Sequence, residues 1–273
     1  MALELEASGH TDAGPHRETN EDSIGCFSPA DTLALQRKGY LYVVADGLGG
    51  HNAGEVASAS AVARMGEEYY SPSNHTRIEP ALRQAVQAAN LRIHELTHHH
   101  PEYRTMETTL SAVAIAGAQA YIAHIGDTRI YHWRAGGLSQ LTSDHSEAAE
   151  LVRMRILKPE RVRDHPGRNT LTRTLGSRLI PRPDYLRRPI EAGDRFVLCT
   201  DGLWSEIEDA EISEVLGDSS PAAACRTLVE RALERDCQDN VTVQVIQVKS
   251  VDNAPAPPSR NGWLSSIFQR GQA

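Results

Sequence analysis

The order of segments along this 273-residue chain predicts an α+β fold: two mainly antiparallel β-sheets stacked face to face between helical layers, a four-layer α-β-β-α sandwich. Three observations predict it. Short apolar runs rich in β-branched and aromatic residues recur along the chain. Helical periodicity is confined to two groups, 53–70 with 79–97 and 209–216 with 221–235, each able to cover one sheet face. The intervals between the strand-like runs of 109–134 are too short for crossover helices, so neighbours should pair antiparallel.

Residues 3–10 and 22–28 read as strands, followed by Tyr40-Leu41-Tyr42-Val43-Val44-Ala45, which runs into Asp46-Gly47. From Ala53 to Tyr70 small and apolar residues fall at helical spacing, and Glu79 to Thr97 repeats the pattern with Leu82, Val86, Ala89, Ile93 and Leu96. The polar turn Ser71-Pro72-Ser73-Asn74 joins these helices. Three short strands follow at 109–116, 120–125 and 129–134. Residues 142–170 are charged and polar, contain Pro159 and Pro166, and offer only a short helix near Glu147–Met154, which marks a surface flap. Beyond it lie strands near 184–190 and 195–200, the second running into Asp201-Gly202, then helices near 209–216 and 221–235 and a closing strand, 241–248. The domain is expected to span 1–248. In 249–273, Asn253-Ala254-Pro255-Ala256-Pro257-Pro258-Ser259 reads as an extended linker, and Trp263-Leu264-Ser265-Ser266-Ile267-Phe268 as a flexible apolar tail or a docking motif.

With 40% hydrophobic residues and a net charge of −8, the chain can bury a substantial core. No apolar run is long enough to span a bilayer and the first residues lack signal-peptide features, so a cytoplasmic location without membrane attachment is expected. The acidic balance argues against nucleic-acid binding, which rests on basic patches. Cys26, Cys199, Cys225 and Cys237 have no CxxC spacing and read as small buried hydrophobes, without disulfide or zinc.

The informative residues are acids at strand boundaries. Asp46-Gly47 and Asp201-Gly202 each end an apolar run, Asn20-Glu21-Asp22 and Asp239-Asn240 each precede one, and Gly126-Asp127-Thr128-Arg129 lies between two. Carboxylates gathered by a fold repel one another, and shared protons or bound cations hold them together. Hard oxygen donors without Cys or His ligand spacing point to Mg²⁺ or Mn²⁺. Other polar clusters read plainly: His98-His99-His100 as a solvated helix end and His124 as a satisfied strand residue.

Taken in order, Asp12-x-Gly14-x-x-Arg17-x-x-Asn20-Glu21-Asp22, Asp46-Gly47-Leu48-Gly49-Gly50-His51-x-x-Gly54-Glu55, Gly126-Asp127-Thr128-Arg129, Thr200-Asp201-Gly202-Leu203-Trp204 and Asp239-Asn240-Val241-Thr242 resemble the metal-dependent serine/threonine protein phosphatases of type 2C, in their compact bacterial form. The resemblance covers about residues 5–248. It implies a two-metal centre, Mg²⁺ or Mn²⁺, at one end of the sandwich. Asp46 would bridge both ions, Gly47 would offer its carbonyl, Asp201 and Asp239 would complete the set, and Asp22 would hold metal-bound water. Asp127 matches the position of a third, weaker ion, and Glu21 and Asn240 those of residues that orient ligands. The implied reaction is hydrolysis of phosphoserine and phosphothreonine by water activated between the ions, with no covalent nucleophile.

Arg17 would grip the phosphate bidentately, a geometry lysine cannot copy. His51 follows the Gly-Gly pair, while Leu48 stands directly after Asp-Gly; a general-acid role and a structural one both fit it. Glu107-Thr108-Thr109 stands where the family has Gly-Thr-Thr, adding a carboxylate near the sheet edge. Expected partners are phosphorylated proteins and a cognate serine/threonine kinase, with the enzyme acting as a monomer. The alternatives are a catalytically silent regulatory domain of the same fold and a metal-dependent phosphodiesterase.

Overall fold

A computed structural model of the chain describes residues 3–49, 53–74 and 77–251. β1 (Glu4–Asp12) and β2 (Asp22–Phe27) precede a short helix, α1 (Thr32–Lys38), and β3 (Tyr40–Leu48) leads to α2 (Ala53–Tyr70) and α3 (Ile78–His99). Next come β4 (Glu107–Thr108), β5 (Leu110–Ala116), β6 (Gln119–Ile125), β7 (Arg129–Arg134) and β8 (Gly137–Gln140). The flap carries α4 (Glu147–Arg153) and 3₁₀ turns at Pro159–Arg161 and Pro166–Asn169. β9 (Asp184–Pro189), β10 (Arg195–Cys199), α5 (Asp201–Trp204), α6 (Asp209–Asp218), α7 (Pro221–Glu234) and β11 (Val241–Ser250) complete the described fold. No helix among the described residues is long and apolar enough to cross a membrane.

The described strands form two sheets, ordered β1-β11-β10-β7-β8 and β2-β3-β5-β6-β9, with β4 paired to β3. Their ladders are antiparallel, as the short connections predict. Alternate residues of each central strand feed different layers. Tyr42 and Val44 of β3 meet Phe196, Leu198 and Ile246 between the sheets, while Leu41, Val43 and Ala45 face Ala57, Ala61, Met65 and Val86 of the helices on the other side. That is why β3 reads as an unbroken apolar run. The second helical layer, α6 and α7, packs Ile212, Leu216, Leu228 and Val229 against Val197, Cys199, Val243 and Val245. Cys199, Cys225 and Cys237 are buried as expected, whereas Cys26 is exposed on the edge strand β2.

α1, β4, β8 and α5 were passed over in the sequence, α1 and β8 although their signals are present. α1 is capped by Asp31, whose carboxylate accepts from Ala34 N, and is stopped by Gly39 at φ 65°. β8 returns from β7 through Ala135 and Gly136, both in the left-handed region, the pairing a tight hairpin turn demands.

Register then places the acids. Asp22 lies opposite Asp46, Asp12 opposite Val241, and Cys199 opposite both Arg129 and Val243. Because neighbouring strands run in opposite directions, the ends of β1, β3, β6 and β10 meet the starts of β2, β7 and β11 at one end of the sandwich. Every acidic motif sits on one of those boundaries.

Candidate metal centre

Both Asp-Gly pairs owe their glycine to a crossing backbone. A Cβ on Gly47 would stand 2.0 Å from the Gly54 carbonyl oxygen and 2.7 Å from that of Glu21, and one on Gly202 would stand 2.1 Å from that of Asn240. The glycines let the acids be pressed against neighbouring chain. Asp46 is further held by its own backbone: its N–H donates to Thr109 Oγ1 (2.9 Å), and its carbonyl accepts from Thr108 Oγ1 (2.8 Å) and Thr109 N (2.9 Å). Asp201 opens α5 directly after Thr200, whose hydroxyl donates to Asp22 Oδ2 (2.8 Å) while accepting from Thr242 N (3.0 Å).

On the opposite wall, Arg17 donates from Nη2 to Asp239 Oδ2 at 2.7 Å. Asn240 stitches the loop that carries Arg17 to the start of β11: its Oδ1 accepts from Glu21 N (2.8 Å), and its Nδ2 donates to Ala13 O (2.8 Å) and Thr19 O (3.0 Å). Asp127 is buried on the turn after β6, and its carbonyl accepts from Trp204 Nε1 at 3.0 Å. The Arg129 guanidinium stacks on that indole at 3.7 Å and is gripped by buried Asp144.

Arg17, Glu21, Asp46, Asp127, Asp201 and Asp239 line one cavity of about 270 Å³, with Gly47, Leu48 and Gly49 beside Asp46 and the flap residues Asn169 and Leu171 opposite. Asp22 and Asn240 are buried behind its wall. Asp46 and Asp201 are only half-buried by surface area because they face the cavity; protein surrounds them on the other sides.

The carboxylates resist ionisation. Burial, and then the charges of Asp22, Asp201, Asp127 and Asp239, push Asp46 well above the usual range. Asp127 is raised by burial and by Asp201 and Asp144. Asp22 is pushed up to about 7 by burial, against the pull of the Thr242 and Thr200 hydrogen bonds, and Asp201 to about 6 by burial and Asp239. Such a cluster stores repulsion that divalent cations relieve. Among the described residues no three His, Cys, Asp or Glu side chains are set to hold an ion by themselves. The donors that line the cavity are hard carboxylate and carbonyl oxygens, which suit an ion bound through one or two carboxylates that keeps its waters.

Of the predicted residues, Arg17, Glu21, Asp46, Gly47, Asp127, Asp201 and Asp239 meet in the cavity, Asp22 and Asn240 support it from behind, and His51 lies outside the described residues. Glu107 is absent from the cavity lining; it accepts from the Thr174 hydroxyl, and its strand β4 lies against Leu48. His124 is buried between Ser111 Oγ and Ser143 O, its titration pushed down to about 3 by burial. The three consecutive histidines stand exposed at the end of α3. Sequence reasoning missed Thr200, the grip of Thr108 and Thr109 on Asp46, and the flap pair Asn169 and Leu171. Thr200 had a signal, a hydroxyl closing an apolar run one residue before an aspartate.

Residues 18–241 match the family model described as Protein phosphatase 2C. The chain belongs to the protein phosphatase 2C family. Within that family it is 35% identical over 266 residues to the serine/threonine protein phosphatase PstP of Mycobacterium tuberculosis, a match covering 97% of this chain and 49% of PstP. The chain thus spans about half the length of that relative. It is 34% identical to the protein phosphatase PhpP of Streptococcus pneumoniae, over 91% of this chain and 99% of PhpP. The solved structure of the PstP catalytic domain in complex with two manganese ions superposes with a TM-score of 0.78 at 34% identity, covering 90% of this chain and 99% of that one. The two-sheet sandwich with flanking helices is the fold of this phosphatase 2C family.

Proposed function

We propose that this phosphatase 2C chain hydrolyses phosphoserine and phosphothreonine in proteins, as a cytoplasmic monomer opposing a serine/threonine kinase. The observation that carries the reading is the convergence of Asp22, Asp46, Asp127, Asp201 and Asp239 at one end of the sandwich, four of them with raised titrations, beside a single arginine on the loop ahead of Asp22. Asp46, the Gly47 carbonyl, Asp201 and Asp239 would hold two divalent cations and Asp127 a third, and the ions would acidify water and neutralise charge on the phosphoryl group. Asp22, buried behind the wall and bonded to Thr200, would support such an ion through bound water. Arg17, one guanidinium nitrogen of which rests on Asp239, has further donors for two phosphate oxygens and orients the substrate. The Asn240 staples keep its loop in place. His51 remains the candidate to protonate the leaving oxygen. Carboxylate, carbonyl and water donors suit both Mg²⁺ and Mn²⁺, and the ions in the PstP structure make Mn²⁺ the first to assay.

Release of phosphate from a phosphothreonine peptide, with Mn²⁺, with Mg²⁺ and with chelator, tests class, reaction and cofactor together. Activity should require the metal, disappear in Asp46→Asn and Asp201→Asn, and exceed that on a phosphodiester. Activity retained in either variant would sink the two-metal assignment.

A further inference from the structure

A second pocket of about 230 Å³ lies on the far side of the segment that closes the flap, and its lining is basic. Arg173, Arg178 and Arg182 surround it together with the hydroxyl-bearing Thr172, Thr174 and Ser177. Its one carboxylate, Glu150, is paired with Arg153. Three guanidiniums against one engaged acid make a cationic spot on a chain of net charge −8. Arg173 is partly neutralised by Asp184 at 3.2 Å, but among the described residues neither Arg178 nor Arg182 has a carboxylate partner.

The pocket is built. Asn90 of α3, fully buried, donates from Nδ2 to the carbonyls of Arg178 (2.9 Å) and Leu179 (3.1 Å) and accepts from Gly176 N (2.9 Å), which fixes the loop that presents Arg178. The floor is pinned on both flanks: Thr172 N donates to His145 O (2.8 Å), and Thr108 and Leu175 exchange backbone hydrogen bonds of 3.1 and 2.8 Å. His145 Nδ1 accepts from Gly126 N, and its Nε2 lies 3.3 Å from Asp184 Oδ2 and 3.2 Å from Arg173 Nη1. One buried ring thereby links the turn before Asp127 to the acid that holds Arg173.

The pocket also lies next to the catalytic cavity. Asn169 and Leu171 line the carboxylate cavity, whereas Thr172, Arg173 and Thr174 line the arginine pocket. Leu171 on the one cavity and Thr172 on the other are consecutive in the chain, so the two cavities are neighbours on either side of this segment. A substrate peptide lying across that segment, extended at ~3.4 Å per residue, reaches from one to the other within a few residues.

We propose that the Arg173–Arg178–Arg182 pocket is a subsite for a second anionic group on the substrate, best filled by a phosphoryl group a few residues from the one being hydrolysed. Guanidinium forks are the complement of a tetrahedral oxyanion; the Thr174 and Ser177 hydroxyls donate within the protein, to Glu107 and to the Thr174 carbonyl, so the arginines and Thr172 are the groups that would meet it. The proposal rests on the phosphatase reading above. The test compares kcat/KM for peptides with one phosphothreonine, with a second phosphate two, three or four residues away, and with glutamate at those positions. It is run on the wild type and on the double variant Arg178→Gln/Arg182→Gln, with p-nitrophenyl phosphate as a monoester too small to reach the pocket. The wild type should prefer the best doubly phosphorylated peptide about tenfold, and glutamate should give a smaller gain. The variant should lose the preference while hydrolysing p-nitrophenyl phosphate at the wild-type rate. No preference at any spacing, or a preference unchanged in the variant, overturns the subsite alone. Failure to hydrolyse p-nitrophenyl phosphate overturns the phosphatase reading, and fluorescence anisotropy then decides the subsite. A labelled doubly phosphorylated peptide must bind the wild type about tenfold more tightly than the variant, or the proposal falls.

Discussion

Thr200 shows how much of this centre depends on groups that never reach the cavity. Its hydroxyl is the donor that fixes Asp22 Oδ2, and the same oxygen accepts from Thr242 N, so one fully buried side chain ties β11 to an acid of the opposite sheet. Thr200→Val keeps the shape and removes both bonds. Outer partners of metal ligands are worth about 10–100-fold in affinity. A Mn²⁺ titration of monoester hydrolysis should therefore show half-activation shifted upward by that factor, with activity recovered at saturating metal; an unchanged midpoint would remove Thr200 from the centre. Arg17→Lys should lower kcat/KM for a phosphopeptide about tenfold, mainly through KM, because a point charge cannot make the bidentate contact. Equal loss in kcat would point to a role in the reaction step. At this scale the acids were legible in the sequence because each sits within two residues of a glycine or asparagine at the edge of an apolar run. Thr108 and Thr109 were visible only as a motif, and their bonds to Asp46 depend on β4 and β5 reaching β3.

Among the elements, the Asp-Gly turns give the sharpest contrast between local pattern and packing. Both look alike in sequence, yet Gly47 lies against α2 and the Glu21 loop, while Gly202 lies against the start of β11. Gly202→Ala would drive a methyl into the Asn240 carbonyl and displace the strand that carries Asp239 and Asn240. Overpacking of this kind costs about 1–3 kcal/mol, so thermal unfolding should shift down by several degrees and metal-dependent activity should collapse. Gly217 of α6 has nothing within 4 Å of an added Cβ, and Gly217→Ala should leave activity intact and raise stability by about 0.5–1 kcal/mol. The same thermal scan reads both, and a Gly202→Ala protein as stable and active as wild type would refute the packing argument. Regular helices and strands were read within a few residues, because apolar period and length decide them. α1 and β8 escaped because seven and four residues carry too little periodicity, leaving only caps and turn residues as signals.

For the whole molecule, the buried acids couple stability to pH and metal. Asp22 titrates near 7 and Asp201 near 6 in the folded chain because of burial, against about 4 when unfolded. Between those values the metal-free folded state holds more protons than the unfolded one, so its stability falls as pH rises. Asp194 behaves oppositely. Burial would raise it, but the hydrogen bonds from Arg134, His132 and the Glu191 backbone together outweigh that and hold it below the usual range, so its contribution is present above about pH 4 and lost only below that. Calorimetry in chelator should thus show a melting temperature that declines from pH 5 to 7.5, and Mn²⁺ should restore it most strongly at the higher pH. A flat or rising profile in chelator would contradict the stored repulsion.

The sequence by itself determined the layer order, the antiparallel pairing and the acids at the strand boundaries, because each follows from local patterns: apolar period, connection length, and motifs whose residues are neighbours in the chain. Tertiary structure alone decided which acids face the cavity, that Asp22 stands behind its wall while Asn169 and Leu171 close it, and that three arginines gather on the far side of the flap. Those outcomes depend on strand register and on how two sheets stack, which bring together residues more than a hundred positions apart in sequence, as Thr200 and Asp22 are. Periodicity within one segment carries no information about the rotation and offset at which that segment meets another.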